Sequence, residues 1–229
     1  LTIGNSVMSI GNEAFYNCSG FTGSLTIPNS VTSIGESAFY NCSGFTGDLT
    51  IGNSVTTIGN YALFNCEGFT EVYSLAKTAP TLRLKAFTGT NSDATLYYLT
   101  SSEQSYDDKG WFNYFPQHIG FNGQCGDNLY WRVDDDNTLT IFGTGAMEDY
   151  DNSNNQAPWR SLNSKPTSLV LKEGITHIGN HAFNYCEGFT KVYSFAEVAP
   201  TLGSDVFKNI NENAILYYPA SSKQSYNNN

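Results

Sequence analysis

Charge is scarce in this chain. Only 14% of its 229 residues are Asp, Glu, Lys or Arg, well under the roughly 25% usual in soluble domains. Positive charge is scarcest: 11 Lys and Arg against 21 Asp and Glu leave a net charge of −10. There is no basic stripe to neutralise phosphates, which excludes a nucleic-acid partner. An anionic bilayer surface would repel the chain, and no run of about 18 apolar residues is present to span a membrane as a helix. A secretory leader is missing too. Because Leu1 opens inside a repeated string, the chain reads as an internal piece of a longer protein, and the missing leader is silent on export.

Apolar and aromatic residues are plentiful. Forty per cent are hydrophobic, with 15 Tyr and 15 Phe, enough to build one large or two small domains. With so little charge, Thr, Ser, Asn and Gly must supply solubility, as they often do outside the cell.

One string is written three times. Leu1, Leu25 and Leu49 stand 24 residues apart, as do Cys18, Cys42 and Cys66, and the first two copies match at 19 of 24 positions. A fixed period of this size marks a solenoid, propeller or array. The shared positions are mostly apolar: Leu25, Ile27, Val31, Ile34, Ala38, Phe39, Cys42 and Phe45. Leu-Thr-Ile alternates as a half-buried strand does. Val-Thr-Ser-Ile reads as a second short extended piece, with turn residues between the two. One 24-residue copy cannot bury eight apolar side chains, but stacked copies can. Gly11, Gly35, Gly59 and Gly179 follow Ile at one phase, where a turn with positive φ is expected. No Gly-Lys-Ser/Thr follows them, so they form no phosphate loop.

A longer duplication overlies the short one. Residues 49–106 align without gaps with residues 169–226, at 30 identities in 58. Each copy ends in a strand (Leu96-Tyr97-Tyr98, Leu216-Tyr217-Tyr218) and then an expected helix. Ser101 with Gln104, and Ser221 with Gln224, fit a capping box. In the first copy Trp111, Phe112 and Phe115 follow and are expected to cover the open end of the stack. Between the copies, Leu129–Val133 and Thr138–Phe142 predict a hairpin turning at Asp134, Asp135, Asp136 and Asn137. Trp159 offers an apolar anchor.

"LTIPNSVTSIGESAFYNC" resembles the repeat of the BspA-like leucine-rich repeat proteins of bacterial surfaces. "ATLYYLTSSEQSYDDKGWFNYF" is similar to that family's closing segment. "CGDNLYWRVDDDNTLTIFGTGAM" is similar to a module that often precedes a new run of repeats. Leu63 stands where Phe is expected and Tyr185 where Asn is expected, and both are expected to keep the core apolar. The fold expected is a β-rich leucine-rich repeat solenoid with parallel short strands, turns and short helical segments. Two capped modules are expected. Residues 1–118 form the first, with a helical cap. Residues 119–229 form the second, opened by a hairpin cap at about 125–147. The resemblance implies export to the bacterial cell surface and binding of host matrix or mucosal proteins. It implies no catalytic residue, cofactor or metal.

Each chemical candidate has a structural reading. Cys18, Cys42, Cys66 and Cys186 share one phase, which suits a ladder of buried thiols better than disulfides. Cys125 has no evident mate. His177 and His181 form His-x3-His, but on a strand and turn, without the Glu of a zinc protease. Asp134–Asp136 and the cluster Glu148, Asp149 and Asp151 lack the EF-hand order. The remaining candidate is a surface. Thr2, Thr26, Thr50 and Val170, with Thr32, Thr56 and Thr176, are expected to form a broad face on parallel strands, and Tyr16, Tyr40 and Tyr61 to add aromatic anchors. Such a face would take an extracellular protein, with the chain acting as a monomer. Trp131, Trp159 and exposed tyrosines leave a glycan partner open, and a passive stalk is the third reading.

Overall fold

The structure is a computed structural model that describes residues 1–163 and 165–227. It is a β-solenoid divided into two compact units, Leu1–Gly120 and Phe121–Asn229.

The first unit contains β1 (Ser9–Ile10), β2 (Gly23–Ile27), β3 (Ser33–Ile34), β4 (Phe45–Ile51) and β5 (Thr57–Ile58). It continues through β6 (Glu71–Ser74), β7 (Thr81–Leu82), β8 (Thr95–Leu99), the helix α1 (Glu103–Asp108) and β9 (His118–Phe121), whose last residue falls past the unit's boundary. Two sheets stack the coils, one in the order β2-β4-β6-β8-β9 and one in the order β1-β3-β5-β7. Strands β2 to β8 pair in parallel, with Leu25 against Leu49, Leu49 against Val72 and Val72 against Leu96. Those four side chains are buried. Thr26 between Leu25 and Ile27 is exposed, so the expected alternation holds.

The third side of each coil has no regular strand, yet its backbone is bonded coil to coil. The N–H groups of Glu13, Phe15 and Asn17 donate to the carbonyls of Glu36, Ala38 and Tyr40 at 2.7–2.8 Å. One coil on, Ser37, Phe39 and Asn41 donate to Asn60, Ala62 and Phe64. This geometry needs a left-handed residue every fourth position, at Glu13, Asn17, Ser37, Asn41, Tyr61 and Asn65. Asn tolerates that region better than most residues, which accounts for Asn at 17, 41 and 65.

The phase glycines are thus not the positive-φ sites. Gly11, Gly35, Gly59 and Gly179 all have ordinary φ. They are small because the preceding coil lies against them. A Cβ on Gly35 would lie 2.6 Å from the Asn12 backbone nitrogen, and one on Gly59 would lie 2.6 Å from that of Glu36. One on Gly179 would strike the Glu148 carbonyl. Gly11, in the first coil, meets nothing within 4 Å.

The second unit opens with β10 (Gly123–Gly126), β11 (Leu129–Val133), β12 (Thr138–Gly143) and β13 (Gly145–Ala146). Then come β14 (Ser168–Leu171), β15 (Ile175–Ile178), β16 (Lys191–Ser194), β17 (Thr201–Leu202), β18 (Ile215–Tyr217) and α2 (Lys223–Asn227). Strands β10, β11 and β12 are antiparallel, and β12 pairs in parallel with β14. The hairpin thereby converts a free sheet edge into the start of a parallel stack, β12-β14-β16-β18. Trp159 fills the core beneath it, donating from Nε1 to the Ala182 carbonyl at 2.9 Å and stacking on Phe183.

Two local expectations are corrected. Neither helix carries a capping box. In α1 the N-cap residue is Ser102, and its hydroxyl donates to the Lys77 carbonyl, while Gln104 turns to Asp108. In the second unit Ser221 and Ser222 both donate to Glu197. These serines tie the helix to the coil beneath it. Tyr185 also departs from expectation: it is 47% exposed at φ 57°, under the Arg160 guanidinium, whereas Leu63 is fully buried. Among the described residues no helix is long and apolar enough to cross a membrane.

The two accounts of the glycines differ in the laboratory. Gly59→Ala is expected to cost about 1–3 kcal/mol in thermal or urea unfolding, because the new methyl group meets backbone. Gly11→Ala is expected to leave stability unchanged. Equal losses at both sites would restore the turn explanation.

Candidate functional site

The members of the expected Thr surface are divided among different sheets of the two units and have different work. Thr32 and Thr56 flank the four-stranded sheet, and their hydroxyls donate to the carbonyls of Met8 and Thr32 at 3.1 Å. They seal one coil to the next. Thr26 and Thr50 lie side by side on β2 and β4 of the five-stranded sheet. Thr2 is exposed but outside any strand. Thr176 lies on β15 and Val170 on β14, in different sheets of unit two.

The row that begins with Thr26 and Thr50 continues as Tyr73 and Tyr97, which pair in register on β6 and β8. Their rings stack 4.8 Å apart at 13°. Unit two repeats the arrangement: Thr140, Val170, Tyr193 and Tyr217 form one row, and the last two rings also stack at 4.8 Å. The 24-residue phase hid these tyrosines. Val72 follows Leu49 by 23 positions, so Tyr73 falls out of step with Thr50 by one. The gapless long duplication, which carries Val-Tyr-Ser in both copies, was the signal available.

Beside the row stand two carboxylates. Glu71 accepts from the Tyr73 hydroxyl and, at 3.4 Å, from that of Tyr97. Burial and then the hydrogen bond to Glu71 push the Tyr73 phenol up, so it stays a donor. Asp48 is next to Glu71 across the sheet, and its backbone N–H donates to the Ser24 hydroxyl at 3.0 Å. Burial first, and Glu71 second, raise the Asp48 carboxyl. No Lys or Arg occurs before Lys77, while Glu13, Glu36, Asp48, Glu67 and Glu71 do. The first coils therefore carry an uncharged row, exposed at Thr26, half-buried at Thr50 and Tyr97 and buried at Tyr73, edged by negative charge. Unit two differs at the matching place, with Lys191 aligned to Glu71.

The other candidates fall into structural roles. Tyr16, Tyr40 and Phe64 stack at 4.9 Å intervals on the third side of the coil, and Tyr61 meets Phe64 edge-on. Tyr16 is exposed, whereas Tyr40 and Tyr61 are half-buried. The Cys42 and Cys66 thiols donate to the Phe15 and Phe39 carbonyls of the preceding coil at 3.0 and 3.1 Å. Burial pushes Cys42 to about 11, Cys66 to about 12 and Cys186 to about 11, so these thiols are poor nucleophiles. Cys125 is buried, and Cys18 and Cys186 are half-buried. All five are free.

His177 meets the Thr201 hydroxyl at 2.8 Å, and His181 meets Asn184. Asp134 accepts from the N–H groups of Asp136 and Thr138 to shape the hairpin turn. Asp149 holds the Asn180 N–H, and the N–H groups of Asn155 and Ser153 keep the Asp151 carboxyl below its ordinary range. Among the described residues no three His, Cys, Asp or Glu are grouped to hold a metal ion. Trp111, Trp131 and Trp159 are all buried, so the two tryptophans considered for sugar stacking are core.

The BspA type Leucine rich repeat region matches this chain in 6 copies over residues 1–107 and 162–228. The chain belongs to this family. The copies cover the stacked coils of both units and leave out the hairpin cap. A leucine-rich cell surface protein from Faecalibacterium prausnitzii, known from a crystal structure, is similar over 96% of this chain and 72% of its own, at 18% identity and a TM-score of 0.32. A likeness that loose carries no argument about function. No curated protein matches the chain.

The raised Asp48 carboxyl has a signed consequence. A carboxyl whose folded pKa exceeds its unfolded one binds more protons in the folded state, so its contribution to stability falls as pH rises through that interval. Asp48→Asn is expected to raise the melting temperature at pH 7, with the gain shrinking as pH falls through the raised pKa and absent below the ordinary carboxylate value. A gain that grows toward acid pH would contradict the arrangement.

Proposed function

We propose that the chain is a non-catalytic protein-binding module displayed outside a bacterial cell, and that it meets its partner through the outward face of the first five-stranded sheet. The observation that carries this reading is the row Thr26-Thr50-Tyr73-Tyr97 with Asp48 and Glu71 along it. The Thr26 and Thr50 hydroxyls make no protein hydrogen bond among the described residues, unlike those of Thr32 and Thr56. Repeat stacks make extended faces of this type, and large partners fit them. Tyr73 is buried and backs the row, while the half-buried Tyr97 adds contact area at low entropic cost. The negative rim favours a partner with a basic surface, such as a cationic patch on a matrix or mucosal protein. Family membership supports placement at the cell surface, and the raised thiol pKa values support a role without nucleophilic chemistry.

The test is a binding array of extracellular matrix and mucosal proteins, probed with the intact chain and with a Thr26→Lys, Thr50→Lys double variant. The expected outcome is a partner whose affinity falls with added salt and is lost in the double variant. The paired substitution Thr32→Val, Thr56→Val should keep that partner. A partner indifferent to the double variant would move the site off this sheet, and no partner at all would favour a passive spacer.

A further inference from the structure

One column on the third side of the coils breaks its own rule. The second left-handed residue of each coil is Asn17, Asn41, Asn65 or Gly89 in unit one and Asn209 in unit two. These residue types take positive φ readily. The remaining member is Tyr185, at φ 57°. A bulky residue in this region is an outlier. Packing does not account for it. The side chain is 47% exposed although both neighbours in the stack are in place. Arg160 lies over the ring from the preceding segment, and the Tyr185 N–H donates to the Lys208 carbonyl of the next coil at 3.0 Å. A strained residue that adds nothing to the core is a candidate for binding.

The groups around the ring are arranged for an anion. Arg160 sits on the single turn Pro158–Ser161, fixed by the buried Trp159 beside it. Its guanidinium carbon lies 5.4 Å from the Tyr185 ring centroid, and Nη1 donates to Asn152 Oδ1 at 3.2 Å. The buried Asn184 donates to the same oxygen at 3.3 Å. No carboxylate pairs with Arg160 among the described residues. The guanidinium is thus held in place by a ring and an amide, with its charge unneutralised. Lys208 adds a second cation on the next coil. Its ammonium is 3.0 Å from Asp205, but that pair is exposed and weak.

We infer that Tyr185 and Arg160 form a binding site for an acidic saccharide, a sugar that carries a carboxylate or a sulfate. The guanidinium takes the anion through paired N–H donors, a geometry that lysine does not offer. The exposed part of the Tyr185 ring gives an apolar surface to the C–H face of the sugar, and its hydroxyl a polar tip. The exposed Asn152 amide offers its NH2 group to the sugar hydroxyls. The net charge of −10 would repel a long polyanion, which limits the ligand to a short acidic sugar. The site lies within unit two and does not depend on the reading of the first sheet.

The test is biolayer interferometry of the full chain on immobilised sialyllactose, lactose sulfate and unmodified lactose. Saturable binding of at least one acidic sugar is expected, about tenfold or more tighter than lactose. Which of the two binds assigns the anion as carboxylate or sulfate. Tyr185→Asn and Arg160→Gln should each weaken that binding by about tenfold or more. Tyr185→Asn restores the residue usual in its column, so its melting temperature should equal or exceed the parent's, and its loss of binding is then not unfolding. A lower melting temperature for Tyr185→Asn would show that the ring serves packing and would overturn the inference. So would no saturable binding of either acidic sugar, lactose bound equally well, or binding that Tyr185→Asn leaves unchanged. A Glu-rich peptide that competes as well as the acidic sugar would overturn it in favour of an acidic protein segment.

Discussion

Everything in this protein rests on the backbone hydrogen bond from one coil to the next. Strands supply it on two sides of each coil, and the alternating left-handed segment around Ala-Phe supplies it on the third. Neighbouring coils are thereby held near strand spacing, about 4.8 Å. That distance decides which residues fit. Where the coils press backbone on backbone there is no room for a Cβ, and glycine recurs at 35, 59 and 179. Where side chains point inward, each packs on its own counterpart, as Phe15 does on Phe39 and Phe45 on Phe69. The repeated string is a consequence of stacking like on like.

The cysteines follow the same logic. A thiol at this phase fills a small apolar space and offers one weak donor, which the carbonyl of the preceding coil accepts. Alanine would remove the thiol donor and leave a gap, the carbonyl keeping only the backbone N–H of its own coil, and a larger side chain would not fit between the coils. The ladder is thus a packing device. The raised thiol pKa values follow from burial and describe groups kept protonated at physiological pH.

Much of the fold was legible in the sequence because period and alternation are local. Leu25-Thr26-Ile27, the hairpin around Asp134, and the covering role of Trp111 all read correctly from spacing and residue type. What escaped depends on neighbours that a single copy does not contain. The glycines look like turn residues until the adjacent coil is in place. The left-handed sites at Ser37 and Tyr61 carry no glycine to announce them, because the inter-coil bonds hold them there. Ser101 and Gln104 have capping-box spacing, but the neighbouring Ser102 reaches Lys77 in the coil beneath instead. On the candidate face Thr26 and Thr50 were readable, whereas Tyr73 and Tyr97 were displaced by a one-residue shortening of the coil. Trp131 and Trp159 were misleading for a simpler reason: an aromatic side chain that can stack on sugar fills a core equally well.

Function then belongs to whatever the stack does not consume. Thr32 and Thr56 are spent on sealing coils, whereas Thr26, Thr50 and Tyr97 of the first sheet are left at the surface beside Asp48 and Glu71. The account stands or falls on all three sides of the coil being bonded, including the side without a regular strand. Native-state hydrogen exchange, resolved to single amides, tests this most directly. The account predicts that the amides of Ser37, Phe39 and Asn41 exchange as slowly as those of Leu49 and Ile51 in β4. Exchange of those three at the rate of an open loop, with β4 still protected, would contradict it.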